Sequence, residues 1–191
     1  MRIFGLHISA DRTALPCTLL LWMALSLAAG LLFRLSLADA LIAGVAATLV
    51  HWFSALWHDA GHVIAASMTG NPMMGLRLWT VFAINQYPAD EGELPAKVHV
   101  RRALGGPIAS LVITMIFAVL LFAVPQATAL WWLVLFGFLL NALVMTSQAI
   151  APLGFNDGAT LRQWLPAMCA AKNPTPNLPQ GRSASRSAGG E

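Results

Sequence analysis

The feature that most constrains this chain is a set of four apolar runs, each long enough to cross a lipid bilayer. They occupy residues 14–33, 40–57, 103–125 and 130–152 of the 191-residue sequence. A helix needs about 20 apolar residues to span the hydrocarbon core. Hydrophobic residues make up 58% of the chain and charged residues 10%, unlike an ordinary soluble domain. We therefore predict an all-α polytopic membrane protein with about four transmembrane helices in contact with lipid.

The basic residues predict the orientation of these spans, because cytoplasmic loops collect Lys and Arg. Arg34 alone lies between spans one and two; the other basic residues precede span one, separate spans two and three, or follow span four. This predicts a protein of the cell membrane with both termini in the cytoplasm, and no nucleic-acid partner is needed to explain the net charge of +3. A second interpretation treats the first 30 residues as a cleaved signal peptide, which leaves three spans.

The segment between spans two and three is too short and too interrupted to be another span. Residues 74–87 are rich in Leu, Val, Ile, Phe and Trp and follow Asn71 and Pro72. This pattern predicts a short membrane-associated β-strand or hairpin. Residues 2–9 alternate loosely and fit a short strand at the membrane surface. We predict one membrane-embedded domain over residues 1–172 and a disordered cytoplasmic tail over residues 173–191, which are rich in Pro, Ser, Gly and Ala.

Span two ends in residues 57–62, which contain two histidines four residues apart, His58 and His62. On a helix such residues share one face, one turn apart. This spacing supplies two of the three protein ligands of a catalytic zinc ion. The alternative is that both histidines bond carbonyl groups of neighbouring helices. His51 lies on nearly the same face, and we interpret it as a satisfied histidine of the span rather than as a deeper lining of the site.

The carboxylates near apolar segments are Asp39, Asp59 and Asp157. Asp157 follows span four in a stretch where Pro152 and Gly154 can break the helix and let the carboxylate turn inward. On local signals alone, Asp157 is also a good N-cap for a helix over residues 159–164. The local sequence therefore leaves the third ligand open.

Taken together, these residues resemble the site-2 protease family of intramembrane zinc proteases. The family motif H-E-x-x-H matches His58 to His62 except at one position. A second motif, Asn-x-x-Pro followed by Leu-Asp-Gly, matches Pro152, Asp157 and Gly158. Between them, the Gly-Gly-Pro of residues 105–107 resembles the family's Ala-Gly-Pro.

The resemblance covers about residues 1–165 and implies that His58, His62 and Asp157 bind a zinc ion. It also implies that the hairpin near residues 75–87 borders the substrate, a single-span or other membrane protein. The sequence departs from the family at three positions. Asp59 replaces the catalytic Glu, Ala149 replaces Asn, and Asn156 replaces Leu.

The hypothesis that follows is hydrolysis of a peptide bond in or near the transmembrane segment of another membrane protein, with zinc-activated water and Asp59 as the general base. Asp reaches about 1.5 Å less far than Glu, and a displacement of about 1 Å can cost about a hundredfold in rate. One alternative is a catalytically silent metal-binding relative that acts as a membrane chaperone or regulator. Another is an iron enzyme, because two His and one carboxylate also suit non-haem iron.

Overall fold

A computed structural model describes residues 2–3, 6–126, 128–154 and 156–172. In chain order the elements are β1 (Arg2–Ile3), β2 (Leu6–Ala10), α1 (Ala14–Phe33), α2 (Leu37–Met68), β3 (Gly75–Trp79), β4 (Phe82–Gln86), α3 (Ala96–Ala123), α4 (Ala129–Leu139) and α5 (Asp157–Lys172). Helix α4 continues as a π-helical segment, Leu140–Thr146, and a 3₁₀ turn, Ser147–Ala149. The predicted tail, residues 173–191, lies outside the described residues.

Among the described residues, four helical segments are long and apolar enough to cross a membrane: Ala14–Phe33, Leu37–Met68, Ala96–Ala123 and Ala129–Ala149. The prediction of a four-span polytopic membrane protein is therefore confirmed. Large side chains such as Leu27, Val119 and Phe122 are exposed on the outside of the helices, where lipid tails would surround them.

Helix α2 extends eleven residues beyond the apolar run that predicted it, from position 57 to Met68. The run ends at position 57 because His58, Asp59 and His62 are polar. All three side chains are buried inside the protein, so the helix continues while its average hydropathy falls. The helix therefore continues beyond His62, where the sequence predicted that span two ends, and the polar residues that follow the apolar run lie in the interior.

The strands form one four-stranded sheet in the order β1-β2-β3-β4. Strands β3 and β4 make an antiparallel hairpin, with Trp79 opposite Phe82. The predicted hairpin between spans two and three is thus confirmed. Strand β2 pairs in parallel with β3, and His7 lies opposite Gly75. A side chain at Gly75 would overlap the His7 carbonyl oxygen, so this pairing requires glycine.

The β3–β4 hairpin lies along α2, and His51 marks how far it reaches. The His51 Nε2 atom is 2.7 Å from the carbonyl oxygen of Val81, which lies in the turn of the hairpin. His51 precedes His58 by seven residues, about 10 Å along a helix. The hairpin therefore extends along α2 past the His58–His62 pair. His51 is a satisfied histidine of the span, as predicted.

Helices α2 and α3 cross closely at Gly61 and Gly105. A Cβ atom on either glycine would overlap the carbonyl oxygen of the other. Small residues permit such close helix packing in membranes, where apolar side chains gain little by leaving lipid. The crossing brings the face of α2 that carries His58 and His62 directly against α3.

We predict that Gly61→Ala destabilises the protein by about 1–3 kcal/mol, because the added methyl group must displace the α3 backbone. Thermal unfolding in detergent would show this as a lowered melting temperature. The matched control is Gly92→Ala, since the space around Gly92 is open. Equal melting temperatures for the two variants would contradict the close crossing.

Candidate metal centre

Three side chains from two helices meet in the interior, His58 and His62 from α2 and Asp157 from the first position of α5. The two Nε2 atoms are 3.1 Å apart. Asp157 Oδ2 lies 3.3 Å from Nε2 of His58 and 3.4 Å from Nε2 of His62. Both histidines are buried, and the Asp157 side chain is 14% exposed. The three groups could hold a metal ion.

The triangle formed by these three atoms has the dimensions that a tetrahedral zinc site needs. In a tetrahedral site, ligands about 2.0–2.2 Å from zinc lie about 3.3–3.6 Å from one another. The observed separations are 3.1, 3.3 and 3.4 Å. Asp157 Oδ2 is buried and accepts no hydrogen bond from the described residues. A buried carboxylate oxygen normally has a partner, so its position between two ring nitrogens fits a site for a cation.

The other nitrogen of each ring, Nδ1, lies within hydrogen-bond distance of a group on α3. His62 Nδ1 is 2.7 Å from the carbonyl oxygen of Arg102 and 3.3 Å from the backbone nitrogen of Gly106. The shorter contact decides the tautomer: a carbonyl oxygen only accepts, so Nδ1 carries the proton and Nε2 keeps a lone pair. His58 Nδ1 is 3.0 Å from Ser110 Oγ, which can accept in the same way. Metal-binding histidines are usually held by such a bond to their second nitrogen.

Gly106 gives the two rings room to lie against α3. A Cβ atom at this position would overlap Nε2 of both His58 and His62. The two glycines of the Gly-Gly-Pro stretch, residues 105–107, therefore have different packing roles. Gly105 lets the helices approach, and Gly106 leaves space for the imidazoles.

Asn156 takes the N-cap position of α5, which leaves the Asp157 side chain free to face the histidines. Asn156 Oδ1 accepts hydrogen bonds from the backbone N–H groups of Leu153 at 3.0 Å and Ala159 at 3.2 Å. Its Nδ2 donates to the carbonyl oxygen of Ala151 at 2.6 Å. Asn156 thus caps α5, the role that local signals gave to Asp157. Asn is a favoured N-cap residue, and this preference was the available signal for its role.

The other two carboxylates considered as ligands are placed differently. Asp39 belongs to the opposite end of α2, about 28 Å from His58 along the helix, and its Oδ2 lies 2.6 Å from Ser36 Oγ at the helix cap. Asp59 is buried beside His58 but is not a member of the metal-binding group. Its carboxylate makes no hydrogen bond or ion pair with any residue that the structure describes. The charges of His62 and Asp157 nevertheless act on Asp59, so its carboxyl group lies within electrostatic range of the three candidate ligands.

Comparison with known proteins relates this chain to a solved structure by its fold. No family model matches the chain, and no curated protein matches it in sequence. Among solved structures, the chain is similar to the Site-2 Protease from Methanocaldococcus jannaschii, with a TM-score of 0.57 and 17% identity. The likeness covers 91% of this chain and 71% of that chain. At this identity it shows that the two proteins share a fold.

We predict that Ser110→Ala weakens metal binding by about 10–100-fold, because the His58 ring loses the group that holds its Nδ1 atom. Competition with a chelator of known affinity measures the change. Thr114→Ala is the matched control, since Thr114 is one turn further along α3 and its hydroxyl donates to the Ser110 carbonyl instead. The same loss of affinity in both variants would contradict a specific role for Ser110.

Proposed function

We propose that this protein is an intramembrane zinc metalloprotease that hydrolyses a peptide bond in or near the transmembrane segment of another membrane protein. The observation that carries the proposal is the triangle of His58, His62 and Asp157 within a bundle of membrane-spanning helices. The fold of the chain is also similar to that of a solved site-2 protease, which supports the proposal. In this proposal the protein resides in the cell membrane with both termini in the cytoplasm.

His58, His62 and Asp157 would hold the zinc ion. Two nitrogen atoms and one oxygen atom are the donor set of many catalytic zinc sites and leave one position for a reactant. When bound, zinc polarises the scissile carbonyl group and makes water a stronger nucleophile at neutral pH. The same donors suit non-haem iron, and the fold likeness to a protease favours zinc.

Asp59 would move the proton. It is buried next to His58 and makes no hydrogen bond with any described residue, so its carboxylate is available to the attacking water. As the water oxygen bonds to the carbonyl carbon, Asp59 takes one of its protons. The carbon–nitrogen bond then breaks, and Asp59 gives that proton to the leaving amine. The products are a carboxylic acid and an amine, so the atoms balance with water as the only co-reactant.

The substrate would be a single-span or other membrane protein that enters beside the β3–β4 hairpin. The hairpin extends along α2 past the His58–His62 pair, since the carbonyl oxygen of Val81 in its turn accepts a hydrogen bond from His51. Strand β4 is the last strand in the order of the sheet. An extended segment of substrate can therefore lie alongside it, which suits hydrolysis because a peptide bond in an intact helix is shielded.

A second candidate function is a metal-binding relative without catalysis, acting as a membrane chaperone or regulator. The observation that favours it is Asp59 itself. Its side chain is one methylene shorter than the Glu of the resembled motif, and a carboxylate displaced by about 1 Å loses about a hundredfold in rate. Substitutions at this position separate the two candidates.

Reconstitution with zinc and a library of single-span substrates tests the proposal. We expect cleavage by the natural protein and a loss of about 10²–10⁴-fold in Asp59→Asn, because the proton acceptor is removed. Asp39→Asn is the control, since Asp39 lies at the far end of α2. If no cleavage depends on His58, the protease proposal is wrong. If only Asp59→Glu is active, the protein is a silent relative.

A further inference from the structure

Arg102 is a buried arginine of α3 whose guanidinium group connects separate segments of the chain. It forms two parallel hydrogen bonds with Glu91, from Nη1 to Oε2 at 2.8 Å and from Nη2 to Oε1 at 2.6 Å. Nη2 also donates to the carbonyl oxygen of Asn71, just beyond the end of α2, at 2.6 Å. The Arg102 side chain is 6% exposed and that of Glu91 is 20% exposed. Burial of such a pair is a weak source of stability, because removing both charges from water offsets much of their attraction.

The same residue touches the metal centre through its backbone. The Arg102 carbonyl oxygen accepts the proton of His62 Nδ1 at 2.7 Å. Its guanidinium carbon lies 4.2 Å from the ring centre of Tyr87, the residue that follows β4. Burial raises the pKa of Tyr87, Arg102 lowers it, and the carboxylates of Asp157 and Asp59 raise it further. Tyr87 and Arg102 therefore lie within electrostatic range of the site.

We propose that Arg102 is a positioning residue, and that its pair with Glu91 is a clasp holding residues 88–95 closed over the metal-centre end of α2. The clasp limits the access of water and substrate to His58, His62 and Asp157 from that side. Its role in substrate access depends on the proposed protease function. Closure of the segment itself depends only on the fold.

The chemistry of the pair suits a clasp that can open. Hydrogen bonds from Arg102 hold the pKa of Glu91 below its usual range, so Glu91 is charged at neutral pH. A planar guanidinium group bonds both carboxylate oxygens at once, which the ammonium group of Lys does not reproduce. Glu91 is partly exposed, so water can compete for it. Glu93 and Arg101, close by in the sequence, are exposed and provide matched controls.

Release of zinc to a water-soluble chelator tests the clasp in the full-length, zinc-loaded protein. Glu91→Gln and Arg102→Lys should start with full zinc and lose it about tenfold faster than the natural protein, the effect of losing a charge-assisted hydrogen bond. Glu93→Gln and Arg101→Lys should release zinc at the natural rate. The double variant should release it little faster than either single variant, because the two residues act as a unit.

Unchanged release in both Glu91→Gln and Arg102→Lys overturns the proposal. So does a loss of zinc from Glu91→Gln before the chelator is added, since the pair would then be needed to build the site. Hydrogen–deuterium exchange of residues 88–95 gives a reading independent of metal. It should be faster in Glu91→Gln and unchanged in Glu93→Gln. If the natural protein binds no zinc, the proposed function fails while the exchange result still decides whether the clasp exists.

Discussion

The candidate site depends on the hydrogen bonds that the Nδ1 atoms of His58 and His62 donate to α3. An imidazole ring buried among membrane-spanning helices needs a partner for each polar atom, because lipid offers none. The Arg102 carbonyl and the Ser110 hydroxyl satisfy one nitrogen of each ring. That leaves both Nε2 atoms facing Asp157, so packing between two helices determines the chemistry that the site can support.

These bonds form where α2 and α3 approach closely. Gly61 and Gly105 permit the approach, and Gly106 leaves room for the rings. Span four contacts the same face of α2: Asn141, in the π-helical segment, donates from Nδ2 to Ser54 Oγ at 2.8 Å, and both side chains are fully buried. Ser54 lies one turn before His58. The site is therefore held by polar contacts between helices that otherwise present apolar side chains to lipid.

Much of the architecture could be predicted from the sequence because membrane burial leaves strong signals. Apolar runs predicted the four spans, and β-branched and aromatic residues between turn signals predicted the hairpin. The spacing of His58 and His62 predicted that they share a face. Local signals alone did not place Asp157, since Asn156 and Asp157 are both good helix caps; the motif resemblance singled out Asp157.

The contacts that complete the site could not be predicted, because they join residues distant in sequence. Ser110 is an ordinary serine, and the Arg102 carbonyl is an ordinary backbone group, until the α2–α3 crossing places them beside the histidines. The parallel pairing of β2 with β3 depends on a similar long-range approach, in which Gly75 meets His7. Helix α2 also continues to Met68, beyond the predicted end of span two at His62, since buried polar residues lower the hydropathy where the helix continues.

We propose that Asp157 completes a metal site with two histidines about a hundred residues earlier in the chain. The most direct measurement is the metal content of the purified protein by mass spectrometry, compared between the natural chain and Asp157→Ala, with Asp39→Ala as the control. We expect about one zinc ion per chain in the natural protein and in the control, and little or none in Asp157→Ala. Full metal content in Asp157→Ala, or iron in place of zinc in the natural protein, would contradict the account.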